Sequence, residues 1–138
     1  MEKDFQRWHE EKSKINVRDD IPRFNEMEIW FCALGANVGC EEDGKGAEFL
    51  RPIVILKKFS REMLMAIPLT RTIKTGNYYF PFLHNGETSV AMLWQTRIID
   101  ARRLQHRSGI LLPETFCHLT NEFLELFKNK TCHQITFG

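Results

Sequence analysis

Short apolar runs, each too brief for a helix and each closed by a turn signal, constrain this chain most. Glu28–Ile29–Trp30–Phe31–Cys32–Ala33–Leu34 is rich in β-forming side chains. Pro52–Ile53–Val54–Ile55–Leu56 is almost continuously apolar, the pattern of a strand buried on both faces. Glu62 to Leu69 follows, with Met and Leu that serve helix equally well. Lys74 to Phe82 leads into a turn at His84–Asn85–Gly86–Glu87, and Ser89–Val90–Ala91–Met92–Leu93 is a further strand. Thr96 to Asp100 either continues the sheet or opens a short one. Gly35 to Gly46, with four glycines and the acidic run Glu41–Glu42–Asp43, reads as a loop.

Two helices flank these strands. Residues 3–16 place Phe5, Trp8 and Ile15 on one narrow face, and Pro22 closes the segment. Pro113 opens the second helix at the position where a missing N–H costs nothing. Phe116, Leu119, Phe123, Leu124 and Phe127 give it an apolar face. Short strands at near-regular intervals with one closing helix predict a mainly β fold, a small barrel or rolled sheet.

Length allows one domain of 138 residues, which buries roughly 68% of its unfolded surface and needs no staples. No apolar run reaches the ~20 residues of a membrane span, and the charged N-terminus does not read as a secretory signal. Cys32, Cys40, Cys117 and Cys132 form no CxxC pair, and His9, His84, His106, His118 and His133 fall at no recognisable ligand spacing. The thiols therefore read as reduced, in a cytoplasmic protein, with no metal site. Charge is uneven. Residues 1–50 carry 7 Lys/Arg against 12 Asp/Glu, and residues 51–138 carry 12 against 6. Such asymmetry fits either a local basic surface or charges scattered over solvated faces.

The order of motifs adds more. After the first strand come Gly39–Cys40–Glu41, then Phe49–Leu50–Arg51–Pro52 and the apolar strand. Ile67–Pro68–Leu69–Thr70 follows, then Gln95–Thr96–Arg97 and Asp100–Ala101–Arg102–Arg103–Leu104. This series, over about residues 28–127, resembles the MazF/PemK toxins of bacterial toxin–antitoxin pairs. The resemblance implies a small SH3-like β-barrel of the CcdB/MazF type over residues 23–138, with a C-terminal helix. Residues 1–22 lie outside it as an extra N-terminal helical extension.

It further implies a cofactor-free, metal-independent endoribonuclease that acts as a homodimer. RNA is held in a groove at the dimer interface, and a cognate antitoxin silences the enzyme there. The ribose 2′-hydroxyl attacks the adjacent phosphate, which requires a proton acceptor, a proton donor and positive charge on the phosphorane oxygens. Arg51 matches the family's essential arginine. Its fork of donors suits phosphate, and its high pKa favours charge stabilisation over proton transfer. Thr70 matches an active-site threonine able to donate to a phosphate oxygen. Glu41 matches a loop carboxylate that accepts the 2′-hydroxyl proton, clamps Arg51, or is simply a solvated charge.

Arg71, Lys74, Trp94, Gln95 and Arg97 are the candidate RNA contacts. Gln95 and Arg97 serve equally to position a strand or dimer edge, with Asp100 pairing an arginine. Arg102, Arg103 and Arg107 suit phosphate, a solvated face or an acidic antitoxin. Two positions depart from the family pattern. Arg71 stands where a serine usually follows the threonine, and Trp94 stands where several members carry Asp or Ser. A tryptophan transfers no proton, although it can stack on a base or fill a core. These departures leave a second reading open: a catalytically degenerate barrel that binds RNA or a protein target, as the related CcdB toxins bind gyrase. His84 sits in a turn that no family motif selects.

Overall fold

The computed structural model describes residues 3–35 and 50–128. It is mainly β, with one antiparallel sheet between two helices. Helix α1 spans Phe5–Asn16. The strands are β1 (Glu28–Ala33), β2 (Leu50–Lys58), β3 (Met63–Thr70), β4 (Tyr79–His84), β5 (Glu87–Met92), β6 (Arg97–Asp100) and β7 (Leu104–Ile110), and helix α2 spans Pro113–Glu125. Their order is β4-β5-β3-β2-β1-β7. One edge of β3 is divided: its first half pairs with β6 and its last two residues with β5. The ends of this path, β4 and β7, are not paired with each other, so the sheet is rolled rather than closed.

The centre of the sheet is buried on both faces, which is why β2 is a nearly continuous apolar run. Ile53 and Ile55 join Trp30, Cys32, Leu64, Ile99 and Leu104 in one cluster. Val54 and Leu56, pointing the other way, join Ile29, Ile67, Leu69, Phe82 and Leu93 in a second. Each such side chain contributes roughly 1.5–3 kcal/mol on burial. Helix α2 covers the second cluster with Leu119, and Phe116 and Phe123 are packed partly against it. Leu124 and Phe127, expected on that apolar face, stand exposed. The Met- and Leu-rich segment 62–69 is a strand because both its faces meet core.

The turn at Asn85–Gly86 has positive φ at both residues, +53° and +77°, which is what a two-residue hairpin with the right twist requires. It sets His84 opposite Glu87. The strand expected from Lys74 begins only at Tyr79. Strand β7 is absent from the apolar pattern, because it is an edge strand paired only with β1, and of its residues only Leu104 is buried.

Helix α1 starts at Asp4, whose carboxylate accepts from the Arg7 N–H at 3.0 Å. Trp8 is its one buried residue. With Ile15 it packs on Ala33 and Leu50, the end of β1 and the start of β2. Phe5, on the same face by periodicity, is half exposed. Beyond the helix, Arg18 Nη1 donates to the carbonyls of Arg102 and Leu104 at 3.0 and 2.5 Å.

Candidate functional site

The start of β2 and the end of β3 bring the two leading candidates together. Ile53 is opposite Pro68. Extending that register by two residues on each strand sets Arg51 opposite Thr70. Arg51 is 7% exposed, and its Nη1 donates to the Leu69 carbonyl at 3.2 Å. That bond aims the fork along the end of β3. Thr70 Oγ1 accepts from the Thr72 N–H at 3.2 Å, which orients the hydroxyl at the strand end. Arg51, Thr70 and Arg71 line one cleft of about 230 Å³, with Phe31, Pro52 and Leu69 supplying apolar wall. A guanidinium held in such a partly desolvated wall interacts with an anion more strongly than one in bulk water.

A second cleft of about 130 Å³ adjoins the first and shares Thr70 and Arg71 with it. Its far rim is made by His84 and Asn85 at the β4–β5 turn and by Ser108 on β7. Arg71 pairs with Glu87 at 3.2 Å, with both side chains largely exposed.

The other candidates lie elsewhere. Glu41, with Gly39 and Cys40, falls outside the described residues. Lys74 is in the segment between β3 and β4, its Nζ 5.7 Å from the Tyr79 ring centre. Trp94 and Gln95 form a single 3₁₀ turn with Leu93 after β5. Trp94 is 46% exposed, so it is a surface residue rather than core. Arg97 sits on β6 opposite Ala66. Trp94, Gln95 and Arg97 line neither of these two clefts.

The arginine cluster is largely committed to internal partners. Asp100 pairs with Arg102 Nη1 at 2.9 Å, in keeping with the expected carboxylate–arginine pair. Arg103 donates to the Ala33 carbonyl at 3.1 Å and lies over the Trp8 ring at 5.6 Å. Burial, with the like charge of Arg97 beside it, pulls the Arg103 guanidinium below its ordinary range. Arg107 pairs with Glu28 at 3.3 Å. Glu28 is itself buried, accepting from the Asn25 N–H at 2.8 Å and Trp30 Nε1 at 3.0 Å. Cys32, on β1, is fully buried, and burial pushes its thiol up to about 12, so it is no nucleophile. Among the described residues no three His, Cys, Asp or Glu side chains gather as metal ligands. Nor is any described helix long and apolar enough to cross a membrane.

His84, Asn85 and Ser108 are the site-lining residues that motif reasoning did not select. Only the turn position of His84 carried any signal.

A rolled antiparallel sheet with a C-terminal helix thus carries an arginine–threonine cleft at the β2–β3 end. Residues 25–127 match the PemK-like, MazF-like toxins of type II toxin–antitoxin systems, and the chain belongs to that family. Residues before Asn25 fall outside the match. No curated protein matches the chain in sequence. Solved structures share its fold. The Mycobacterium tuberculosis toxin MazF-mt6 is 19% identical, with a TM-score of 0.55 over 72% of this chain and 95% of that one. A mycobacterial endoribonuclease in complex with its cognate antitoxin is 14% identical, with a TM-score of 0.58 over 84% and 100%. MazF from Deinococcus radiodurans is 15% identical, with a TM-score of 0.58 over 78% and 97%. At these identities the likeness is one of fold.

Proposed function

We propose that this chain is a cytoplasmic, homodimeric endoribonuclease toxin that cuts single-stranded RNA without a metal ion and is silenced by a cognate antitoxin. The observation that carries the reading is the buried Arg51 held beside Thr70 in one cleft. Family membership supports it, as does the fold shared with an endoribonuclease solved with its antitoxin. In this reading residues 23–138 form the toxin domain and residues 1–22 an added extension.

The reaction transfers a phosphodiester bond within the RNA. The 2′-oxygen bonds to phosphorus, the bond to the departing 5′-oxygen breaks, and a 2′,3′-cyclic phosphate remains. Glu41 takes the 2′-hydroxyl proton, and another proton must reach the 5′-oxygen. Arg51 stabilises the charge that grows on the non-bridging oxygens, and Thr70 donates a hydrogen bond to one of them. Arg71, Lys74, Trp94, Gln95 and Arg97 hold the flanking strand.

The test is incubation with mixed-sequence RNA in EDTA, with the ends mapped. Cleavage leaving cyclic phosphates is expected, and Arg51→Ala is expected to lower the rate by about 10²–10³. No cleavage by the wild type, or undiminished cleavage by the variant, refutes the mechanism. A second reading, a barrel that holds RNA or a partner protein without cutting, is favoured by the Arg71–Glu87 ion pair at the cleft mouth and by Trp94 in place of an acid. RNA bound but intact is its signature.

A further inference from the structure

We propose that the smaller cleft is a nucleobase pocket. In it, His84 reads the edge of the base next to the phosphate held at Arg51 and Thr70. The inference rests on the RNA reading above and adds the element that gives the strand a preferred sequence.

The construction of the cleft suits a base. Its floor is apolar: Ile29, Phe31, Pro52 and Leu69 present the flat, sequence-tolerant surface that a ring face wants. The rest of its lining is polar: His84, Asn85, Ser89 and Ser108, with Glu87 held by Arg71, offer groups that can donate or accept at a base edge. It opens directly onto the larger cleft through Thr70 and Arg71, so a strand anchored there continues into it.

Spacing separates the role of His84 from that of Arg51. Thr70 is opposite Val90, and Val90 is opposite Pro81. His84 lies three residues further along β4, about 10 Å along the strand at 3.4 Å per residue, and β4 is itself two strands across from β3. That is too far to share the phosphate at Thr70 and suits the neighbouring nucleotide. A histidine here would otherwise invite an acid–base role, and the distance argues against it.

The ring also has a built seat. A Cβ on Gly109 would lie 2.9 Å from His84 Nε2 and 3.1 Å from Cε1. A glycine on β7 therefore lets the imidazole rest against the backbone of the opposite edge strand. The Asn85 side-chain amide lies 3.3 Å from the same Nε2. The seat on Gly109 and the contact with Asn85 hold the ring in one orientation, and a fixed ring edge is what discrimination between bases needs.

The test measures binding of the full chain to four homopolymeric 2′-O-methyl RNA decamers, which lack the attacking hydroxyl and stay intact. The wild type is expected to prefer one base by about tenfold or more. His84→Ala is expected to bring that decamer to the level of the other three. Gly109→Ala pushes the ring from its seat and is expected to move the preference the same way. Ser108→Leu, at an exposed position, fills the cleft without touching the core and gives the same result should His84→Ala fold poorly. Arg51→Ala is expected to weaken all four alike, the pattern of a phosphate contact. A wild type with no base preference, or a preference unchanged in all three cleft variants, overturns the pocket while leaving the ribonuclease reading intact. Failure of the wild type to bind any of the decamers, together with failure to cleave RNA, overturns both.

Discussion

Replacing Gly35 by alanine should release helix α1 from the body of the protein. Gly35 has φ +73°, and a Cβ built there would lie 1.8 Å from Trp8 Cε2 and 2.1 Å from Cδ2. Adjustments of a few tenths of an ångström cannot relieve such an overlap, so the indole must leave. Trp8 is 5% exposed. An aromatic of this kind buries about 150–250 Å². At about 25 cal/mol per Å² that is ~4–6 kcal/mol, reduced by roughly 10–40% for a realistic unfolded chain. The contact with Arg103 adds about 0.5–1 kcal/mol. The loss expected is therefore about 3–5 kcal/mol, in the range of other large-to-small aromatic losses. It is capped by the docking energy of α1, beyond which only the ~1–2 kcal/mol of left-handed strain on alanine remains. Thermal melts should fall by roughly 10 °C or more, with a red shift of tryptophan emission. Trp8→Ala should cost about the same. Because both variants break one contact, the double variant should cost little more than either alone. Additive losses would refute this reasoning, since they would mean that Gly35 and Trp8 act separately.

Three further outcomes follow from buried groups. Glu28→Ala strands Trp30 Nε1 and leaves Arg107 without its carboxylate, so a urea melt should lose about 2–4 kcal/mol; a loss under ~1 kcal/mol would mean the network is idle. Cys32 holds its proton up to about 12 when folded, whereas an unfolded thiol ionises near 9.0. Between those values the unfolded state binds fewer protons, so stability falls with rising pH by up to about 1.4 kcal/mol per unit, and Cys32→Ala should remove that part of the slope. Native alkylation at pH 8 should label exposed Cys117 and spare Cys32.

What was legible in the chain was what its strands bury. Ile53 to Leu56 announced a central strand because both its faces are covered. The Asn85–Gly86 hairpin was legible because few residue pairs tolerate two positive φ values. Strand β7 was not, because an edge strand with one solvated side carries Gln105, His106 and Arg107 rather than an apolar alternation. Arg51 and Thr70 were reached through the order of motifs, since an arginine at a strand start is unremarkable alone. Their meeting in one cleft follows from how β2 and β3 pair, which no linear spacing between residues 51 and 70 discloses.

The sequence alone determined the mainly β class and the two flanking helices, because burial patterns and turn chemistry are local; it singled out Arg51 and Thr70 only through the resemblance of its motif order. Only the tertiary structure decided where those side chains meet. The rolling of the sheet carries the β4–β5 turn over to β7 and seats His84 on Gly109. It also spends Arg102, Arg103 and Arg107 on internal partners. Packing is non-local: residues 84 and 109 become neighbours only after every strand between them has been placed.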